Sequence, residues 1–306
     1  MTIECVKLTK KYPGTTSKSL DNVSVSIPTK GIFSLIGRNG AGKTTLTRIL
    51  GTQLMPSSGH ATIDGLDIID DAKELREIIA VIPQDGRPVP WVTPAQMIMT
   101  YLMWRGYGIR EAKARAVSVI KDIGIYKEKD KHIGKLSGGT KRKVLVGCVL
   151  ASEAEIVFMD EPTTGLDLIS RTSFWETLGK LKKDRFFLLT THYLEEAESL
   201  ADGIGILDNG KLLVSGSMDQ IRKRIRYRYM VTLGKDAKVP ALKGKIIRTS
   251  NSTKIMTSEE GAKRVASEMI RRHAEFSMSP ISLNEIFYSF VKEDIETGKS
   301  DDYEKE

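Results

Sequence analysis

The stretch Gly31-Ile-Phe-Ser-Leu-Ile36, followed directly by Gly37-Arg-Asn-Gly-Ala-Gly-Lys-Thr-Thr45, decides the fold. Its first part is apolar and predicts a buried strand, while the residues from Lys43 to Leu54 predict a helix. A strand, a glycine-rich turn and a helix in this order form a phosphate-binding loop. The stretch therefore predicts a site for the phosphates of a nucleotide.

Each residue type in this loop suits phosphate binding for a physical reason. Gly37, Gly40 and Gly42 let the backbone turn so that successive N–H groups point at an anion, and the helix starting near Lys43 adds the positive end of its dipole. Lys43 is expected to reach the β- and γ-phosphates, and the Thr44 hydroxyl to bind Mg²⁺. A chance glycine-rich turn is the alternative, which the flanking strand and helix disfavour. The remaining predicted nucleotide-binding residues of the loop are Asn39, Ala41 and Thr45.

The composition is that of a globular protein. The 306 residues are 40% hydrophobic and 28% charged, enough for one large domain and one small one. The longest apolar stretch, Val144 to Met159, contains a serine and two glutamates and is not expected to span a membrane. The N-terminal residues lack the pattern of a secretory signal, and two widely separated cysteines are typical of a reducing cytosol.

The net charge of +8 is unevenly distributed along the chain. Residues 222–272 contain fifteen Lys or Arg against four Asp or Glu, a local charge of +11, which leaves −3 for the rest. Residues 291–306 contain seven acids and three bases. We therefore predict a first domain at 1–221, a basic accessory domain at 222–290 and a disordered acidic tail at 291–306.

Hydrophobic patterns alternate between strand and helix along the first domain. They predict strands at 3–10, 23–28, 31–36, 63–68, 78–82, 155–160, 185–190, 203–207 and 211–215. They predict helices at 43–54, 72–77, 93–105, 110–123, 140–151, 168–182 and 194–201. Alternating strands and helices around a phosphate loop imply a parallel α/β sheet, with a block of helices inserted at about 86–150.

The run Ile156-Val-Phe-Met-Asp160-Glu161 predicts a strand that ends in two acids. A rigid carboxylate at the carboxyl end of a neighbouring strand suits a Mg²⁺ site beside a phosphate loop, so Asp160 is expected to hold the metal, mostly through water. Glu161 points to the other side and could polarise the water that attacks the γ-phosphate. Hydrophobic strands that end in acids are common, so this run alone is weak evidence for a metal or catalytic site.

Further motifs follow in a fixed order. Leu136-Ser-Gly-Gly-Thr140 precedes a helix and predicts a second anion site, Gln84 lies between the first strands and the helical insert, and Thr190-Thr-His192 ends a later strand. With these, residues 1–220 closely resemble the ATP-binding-cassette (ABC) ATPases. That family has a phosphate loop, Q-loop, LSGGQ signature, Walker B strand with catalytic glutamate, D-loop and H-loop. The corresponding residues here are Gly37–Thr45, Gln84, Leu136–Thr140, Ile156–Glu161, Gly165-Leu-Asp167 and His192.

The resemblance implies a P-loop NTPase (RecA-like) ABC nucleotide-binding domain of α/β class, with an inserted helical subdomain and a small C-terminal α+β appendage. It implies ATP and Mg²⁺ as cofactors, with Gln84 contacting the metal or the attacking water. His192 is implied to hydrogen-bond the γ-phosphate and to hold Glu161, and Asp167 to lie at a subunit contact. Tyr12 resembles the aromatic residue that stacks on adenine, although an ordinary strand-end tyrosine is the alternative.

The resemblance also implies a head-to-tail dimer. The signature, consisting of Leu136, Ser137, Gly138, Gly139 and Thr140, is implied to contact the γ-phosphate held by a second chain, so that two chains enclose two ATP molecules. ATP binding closes this pair and hydrolysis opens it. The partner chain is a second copy or a related ATPase. Thr140 departs from the family pattern, because it replaces a glutamine whose contacts near the ribose would be lost.

Two functions are compatible with these motifs. The first is the ATP-hydrolysing subunit of an exporter at the cytoplasmic face of the membrane, with a separate transmembrane permease as partner. The segment Pro88–Trp104 is rich in aromatic and methionine side chains suited to a partner surface, or to the insert's own core. Thr93-Pro94 and Ser282-Leu-Asn-Glu-Ile-Phe-Tyr288 resemble segments of drug-export cassettes.

The alternative is a soluble ABC ATPase that acts on nucleic acid or the ribosome. It is motivated by the basic residues 222–272, since lysine- and arginine-rich segments bind phosphates without base specificity. The translation-factor members of the family carry two cassettes per chain, and the chromosome-maintenance members carry long coiled coils. This sequence has neither feature, so no specific nucleic acid is expected as a partner.

Overall fold

In the computed structural model of the protein, the described residues are 2–225, 227–234, 239, 244–248 and 251–296. The chain forms two compact units, Met1–Ser215 and Gly216–Glu306. The boundary lies earlier than the predicted residue 221. The reason is local, because Ser217 caps a helix at Met218–Arg224, and this helix belongs as a whole to the second unit.

Most strands and helices of the first unit agree closely with the predicted segments, but the helix after the phosphate loop ends at Leu50 and not at Leu54. The strands are β1 (Thr2–Lys10), β2 (Leu20–Pro28), β3 (Ile32–Ile36), β4 (Ser58–Ile63), β5 (Leu66–Asp67), β6 (Ile79–Ile82), β7 (Ile156–Asp160), β8 (Phe186–Thr191), β9 (Gly203–Asp208) and β10 (Lys211–Gly216). The helices are α1 (Lys43–Leu50), α2 (Ala72–Ile78), α3 (Pro94–Trp104), α4 (Ile109–Asp122), α5 (Gly138–Ala151), α6 (Leu168–Leu181) and α7 (Leu194–Leu200).

The central sheet has the strand order β10-β9-β3-β8-β7-β6, and its pairs β3/β8, β3/β9, β7/β8 and β6/β7 are parallel. Every residue of β3, β7 and β8 is buried, as expected for parallel strands covered on both faces. The carboxyl ends of β3, β6, β7 and β8 therefore meet at one edge of the sheet. The phosphate loop, Gln84, Glu161 and His192 all follow these ends.

The strands β1, β2, β4 and β5 lie outside the parallel sheet. They form a separate antiparallel sheet of order β2-β1-β4-β5, in which β2 alternates buried and exposed side chains, as suits a sheet with one solvated face. The predicted strand 63–68 is interrupted by a turn. Asp64 and Gly65 both have positive φ, of 53° and 87°, so the chain turns there between β4 and β5.

The segment between β6 and β7 contains α3, α4 and α5, with two short 3₁₀ turns before α5. Thr93 and Gln96 form a capping box that starts α3. Ile98 and Leu102 are fully buried in the core of this block, whereas Trp91 and Trp104 are 73% and 84% exposed. The aromatic and apolar side chains of this segment are thus divided between the core and the surface. Within the described part of the chain, no helix has the length and apolar content needed to cross a membrane.

The second unit is an α+β structure. Its elements are α8 (Met218–Arg224), β11 (Tyr229–Gly234), β12 (Gly244–Arg248), β13 (Ser252–Thr257), α9 (Glu259–Arg271), β14 (Phe276–Pro280) and α10 (Leu283–Glu296). The strands form an antiparallel sheet of order β12-β13-β11-β14, and Val231 and Ile255 pack in one core with Val265 of α9.

The predicted acidic tail begins later than expected. The helix α10 continues to Glu296, and Val291, one turn after Phe287, is fully buried. Residues 297–306 of the predicted tail lie outside the described residues, as do 226, 235–238, 240–243 and 249–250 of the predicted basic domain.

Candidate functional site

The phosphate loop joins β3 to α1, and its glycines are required by geometry. Gly40 and Gly42 have φ values of 82° and 104°, which side chains rarely adopt. A Cβ atom on Gly42 would lie 2.3 Å from the Ser19 carbonyl oxygen, and one on Gly37 would lie 2.3 Å from the Leu207 carbonyl oxygen. Gly42 also precedes α1 without a side-chain cap, so the first N–H groups of the helix suit an anionic ligand.

Lys43 is held inside this loop. It is 5% exposed, and its Nζ donates hydrogen bonds to the carbonyl oxygens of Gly37 at 2.9 Å and Arg38 at 3.1 Å. The same nitrogen lies 3.7 Å from Glu161 Oε1. Burial lowers the pKa of Lys43, while the charges of Glu161 and Asp160 oppose this shift. The loop thus carries a pre-placed amine close to two carboxylates.

A pocket of about 240 Å³ brings four separate segments together. It is lined by Ser19, Asn39, Gly40, Gly42, Lys43, Thr44, Thr45, Gln84 and Glu161. Most of the predicted loop residues therefore face the same space as Gln84 and Glu161. Ala41 is buried within the loop instead, and its N–H donates to the Arg38 carbonyl oxygen at 3.1 Å.

Glu161 is the point where the functional side chains converge. Its Oε2 accepts hydrogen bonds from Gln84 Nε2 at 3.3 Å and Thr164 Oγ1 at 3.1 Å, and its Oε1 lies 3.4 Å from His192 Nδ1. The Glu161 side chain is only 8% exposed. The strand ends therefore place the predicted glutamate, glutamine and histidine in one cluster beside Lys43.

The backbone at Glu161 is strained. Its φ of 46° is in the left-handed region, which costs free energy for a residue with a side chain. Its N–H donates a 2.8 Å hydrogen bond to Thr190 Oγ1, and the Thr190 hydroxyl in turn donates to Asp160 Oδ1. This network fixes the two acids after β7 against the end of β8.

The oxygen atoms near the loop fit a hard cation such as Mg²⁺. Thr44 and Gln84 both line the pocket, and Asp160 is a 3% exposed carboxylate at the end of β7. Hydroxyl, amide and carboxylate oxygens are ligands that Mg²⁺ accepts, alongside water and substrate phosphates. Among the described residues, no cluster of three or more His, Cys, Asp or Glu side chains could hold a metal by itself. A metal at this site would be held by the Thr44 hydroxyl, the Gln84 amide and the Asp160 carboxylate together.

Tyr12 lies beside the loop. Its hydroxyl is 3.3 Å from Thr45 Oγ1, which is also 2.8 Å from Ser19 Oγ, and the Lys10 ammonium lies 5.6 Å from the centre of the tyrosine ring. Tyr12 is not among the residues that line the pocket. Its role in stacking on a base stays a prediction.

The signature does not belong to the pocket of its own chain. Ser137 is the N-cap of α5, and its Oγ accepts a 3.2 Å hydrogen bond from the Thr140 N–H. Ser137 Oγ also lies 2.8 Å from Thr140 Oγ1, so the threonine in place of glutamine interacts with the serine hydroxyl. Leu136 is buried, whereas Ser137 and Gly138 are exposed. The start of α5 is therefore exposed on the surface of this chain.

Asp167 caps α6 at a second exposed position. Its carboxylate accepts hydrogen bonds from the Ser170 N–H at 2.9 Å and the Ser170 hydroxyl at 2.8 Å, and these bonds lower the pKa of Asp167. The next two residues, Leu168 and Ile169, are 76% and 83% exposed. Two adjacent exposed aliphatic side chains beside Asp167 form a surface suited to a subunit contact.

Sequence reasoning missed two side chains that support the cluster. Thr190 was recognised only as part of the Thr-Thr-His segment, although its hydroxyl connects Asp160 with the Glu161 backbone. Arg142 is buried and reaches the backbone around Glu161. Its sequence signal is a charged residue on the same helical face as Val146 and Val149, both of which are buried.

Comparisons with known proteins agree with this geometry. Residues 20–164 match the family model described as ABC transporter. ABC transporter A family member 7 of Dictyostelium discoideum is 34% identical over 76% of this chain, and the chain spans only 28% of that protein. The daunorubicin/doxorubicin resistance ATP-binding protein DrrA of Streptomyces peucetius is 29% identical over 94% of this chain and 92% of its own length.

A solved structure of similar fold is a dimeric ATP-binding cassette in a post-hydrolysis state, bound to ADP and Pi. It matches with a TM-score of 0.65 and 23% identity, over 71% of this chain and 98% of its own chain. This likeness confirms the predicted P-loop NTPase fold. Together with the order of the motifs, the comparisons show that the chain contains an ATPase domain of the ABC transporter family.

Proposed function

We propose that this ATPase powers export through a separate transmembrane permease, and that it works as a dimer whose ATP sites lie between two chains. The observation that carries the proposal is the convergence of Lys43, Gln84 and His192 on the carboxylate of Glu161 beside the phosphate loop. This arrangement holds a phosphate, a water and a base in one place, which is what the hydrolysis of a terminal phosphate needs.

In this proposal each group has one task. The loop N–H groups and Lys43 bind the β- and γ-phosphates, and Glu161 accepts a proton from the attacking water. Gln84 orients that water, and His192 hydrogen-bonds the γ-phosphate while keeping Glu161 in place. Thr44, Gln84 and Asp160 would hold Mg²⁺, which, when bound, neutralises charge on the β- and γ-phosphate oxygens.

The dimer is supported by the position of the signature. Ser137 and Gly138 are exposed at the start of α5 and do not line the loop pocket of their own chain. A γ-phosphate held by another chain can reach this helix end, where N–H groups favour an anion. Asp167, Leu168 and Ile169 extend the same contact. The solved cassette of similar fold is described as a dimer, which agrees with this arrangement.

The permease and the direction of transport are inferred from the relatives and from the surface of the insert. The relative DrrA is named as a drug-resistance ATP-binding protein, and the chain covers 92% of it. Trp91, three residues before α3, and Trp104, the last residue of α3, are largely exposed, and aromatic side chains of this kind are enriched in protein interfaces. We therefore infer that α3 faces the permease at the cytoplasmic side of the membrane.

The test is isolation of the tagged full-length chain from membranes of its native host. Detergent extraction is expected to recover the chain together with a multi-span membrane protein, and Trp91→Ala with Trp104→Ala should reduce this recovery. Tyr126→Ala, which changes another exposed aromatic residue of the insert, is the matched control. Salt-dependent retention on RNA or DNA without membrane recovery would favour the nucleic-acid alternative and contradict the transporter function.

A further inference from the structure

Arg142 lies on α5, two residues after the signature, and its side chain is almost completely enclosed. The residue is 9% exposed. Its guanidinium donates to five main-chain carbonyl oxygens: Nε to Pro162 at 3.0 Å, Nη1 to Pro83 at 3.2 Å and Gln84 at 3.3 Å, and Nη2 to Asp160 at 3.0 Å and Glu161 at 3.2 Å. The flat five-donor geometry of arginine suits this use, and no other side chain offers as many donors.

The five acceptors belong to two separate segments. Pro83 and Gln84 directly follow β6, whereas Asp160, Glu161 and Pro162 end or follow β7. These strands are parallel neighbours, with Ile82 opposite Met159. One side chain from the inserted helices therefore joins the backbone that carries Gln84 to the backbone that carries Glu161. Burial lowers the pKa of Arg142, and the nearby charges of Asp160 and Glu161 oppose this shift.

The Glu161 backbone needs such restraint. Its left-handed φ of 46° persists only where surrounding contacts determine it. The N–H is fixed by Thr190 at 2.8 Å, and the carbonyl oxygen accepts both the Arg142 guanidinium and the Thr164 N–H at 3.2 Å. Without the guanidinium, the Glu161 carbonyl and the Gln84 carbonyl each lose a charged donor and become free to shift relative to one another.

We propose that Arg142 is a positioning residue for ATP hydrolysis, which fixes the main chain of Gln84 and Glu161 so that their side chains meet at 3.3 Å beside Lys43. The inference rests on the proposed roles of Gln84 and Glu161. Arg142 has no contact with Lys43 among the hydrogen bonds of the described residues, and it does not line the loop pocket. Its loss should therefore affect turnover rather than nucleotide affinity.

The test compares full-length variants in hydrolysis, ATP binding and thermal unfolding. Arg142→Met keeps the length of the side chain and removes all donors, and Arg142→Lys keeps the charge but loses the planar fork. Lys143→Met, which removes a half-buried cation from the next position of α5, is the matched control. Arg142→Met is expected to lower kcat about 10- to 100-fold, the scale of a misplacement of about 1 Å, with the Kd for ATP within about twofold of wild type. Arg142→Lys should be intermediate, and the control should keep wild-type kcat.

A second readout separates positioning from a merely structural role. In a Glu161→Gln background, Arg142→Met should cause little further loss of kcat, because the two residues act through one group. The proposal would be overturned if Arg142→Met lowered the kcat of Glu161→Gln by the same factor as it lowers that of wild type. It would also be overturned if Arg142→Met alone kept the wild-type kcat, or lost kcat and ATP binding in parallel. If Arg142→Met does not fold, Arg142→Lys takes its place, and its kcat and its Kd for ATP test the proposal in the same way. Normal turnover of Glu161→Gln alone would instead refute the proposed role of Glu161.

Discussion

Lys43 Nζ lies 3.7 Å from Glu161 Oε1, so the amine of the phosphate loop and the carboxylate that follows β7 occupy one buried site. The chain reaches this point from residues far apart in sequence, because parallel strands bring their carboxyl ends to the same edge of the sheet. Gln84 and His192 complete the cluster from the ends of β6 and β8.

Lys43→Ala should weaken ATP binding. The variant removes a charged donor to the β- and γ-phosphates, and bonds of this kind contribute about 1.5–3 kcal/mol, so Kd is expected to rise about 10- to 100-fold. Titration of a fluorescent ATP analogue measures the effect. Arg48→Ala, which removes an exposed cation from the same helix, should bind like wild type. Unchanged affinity in Lys43→Ala would contradict the assignment of the phosphate loop.

Glu161→Gln should bind ATP but hydrolyse it slowly. The amide keeps the shape of the side chain and cannot accept the proton, so kcat is expected to fall about 10²- to 10⁴-fold, the usual contribution of a general base. Phosphate release gives kcat, and equilibrium binding gives Kd. Glu176→Gln, at an exposed position of α6, is the control. Wild-type turnover in Glu161→Gln would show that this residue is not the base.

Ser137→Arg should abolish hydrolysis while leaving ATP binding to the loop of the same chain intact. The bulky cation blocks the exposed end of α5, and loss of the cap costs about 0.5–2 kcal/mol of stability, which thermal unfolding measures. Ser118→Arg, at an exposed position of α4 in the same insert, controls for the added charge and bulk.

A mixture of Ser137→Arg and Lys43→Ala tests whether the signature acts on the ATP bound by a second chain. In a head-to-tail pair, the loop of the first variant meets the intact signature of the second, so one complete site forms. Hydrolysis by the mixture should exceed that of either variant alone. If the mixture is as inactive as its components, the signature does not act across the subunit contact.

Glu196→Gln should change how stability depends on pH. Glu196 is 9% exposed, its Oε2 accepts the Thr163 hydroxyl at 3.1 Å, and its Oε1 lies 3.1 Å from Arg171 Nε. The Arg171 contact is an ion pair without hydrogen-bond geometry. Burial raises the pKa of Glu196 above its ordinary 4.5, and the Thr163 hydrogen bond and the Arg171 charge oppose the shift.

The raised pKa of Glu196 determines whether stability rises or falls with pH. The folded protein favours the protonated form, so the contribution of Glu196 to stability is complete below pH 4.5 and is lost as the pH rises through the folded value. The free energy of unfolding of wild type, relative to Glu196→Gln, should therefore fall with rising pH. Urea unfolding between acidic and neutral pH measures this difference, with the exposed Glu195→Gln as control. A difference that stays constant or increases with pH would contradict the prediction.

Local patterns predicted most elements of the first unit. β3, β7 and β8 are continuous apolar runs, and such runs between helices favour a parallel sheet whose ends gather Glu161 and His192. The separate antiparallel sheet was not predictable in this way. The alternation in β2 shows that one face is buried, but it does not show that β2 pairs with β1 and not with the central strands.

Side-chain contacts between residues far apart in sequence were also not predictable from local patterns. The five hydrogen bonds of Arg142 depend on how α5 packs over β6 and β7, which periodicity cannot specify. The contact between Ser137 and Thr140 could have been expected from capping rules, because a serine N-cap commonly accepts the N–H three residues on. The domain boundary was misplaced because charge changes at Arg222, whereas the Ser217 cap starts α8 earlier.

The association state of full-length Glu161→Gln tests the central proposal most directly. Sedimentation velocity with ATP and Mg²⁺ should show a dimer, since the γ-phosphate stays in place and both chains hold it, whereas ADP and Mg²⁺ should leave the chain monomeric. Ser137→Arg introduced into the same variant should abolish the ATP-dependent dimer. A chain that stays monomeric with ATP at every accessible concentration, with its permease also supplied, would contradict an ATP site built between two subunits.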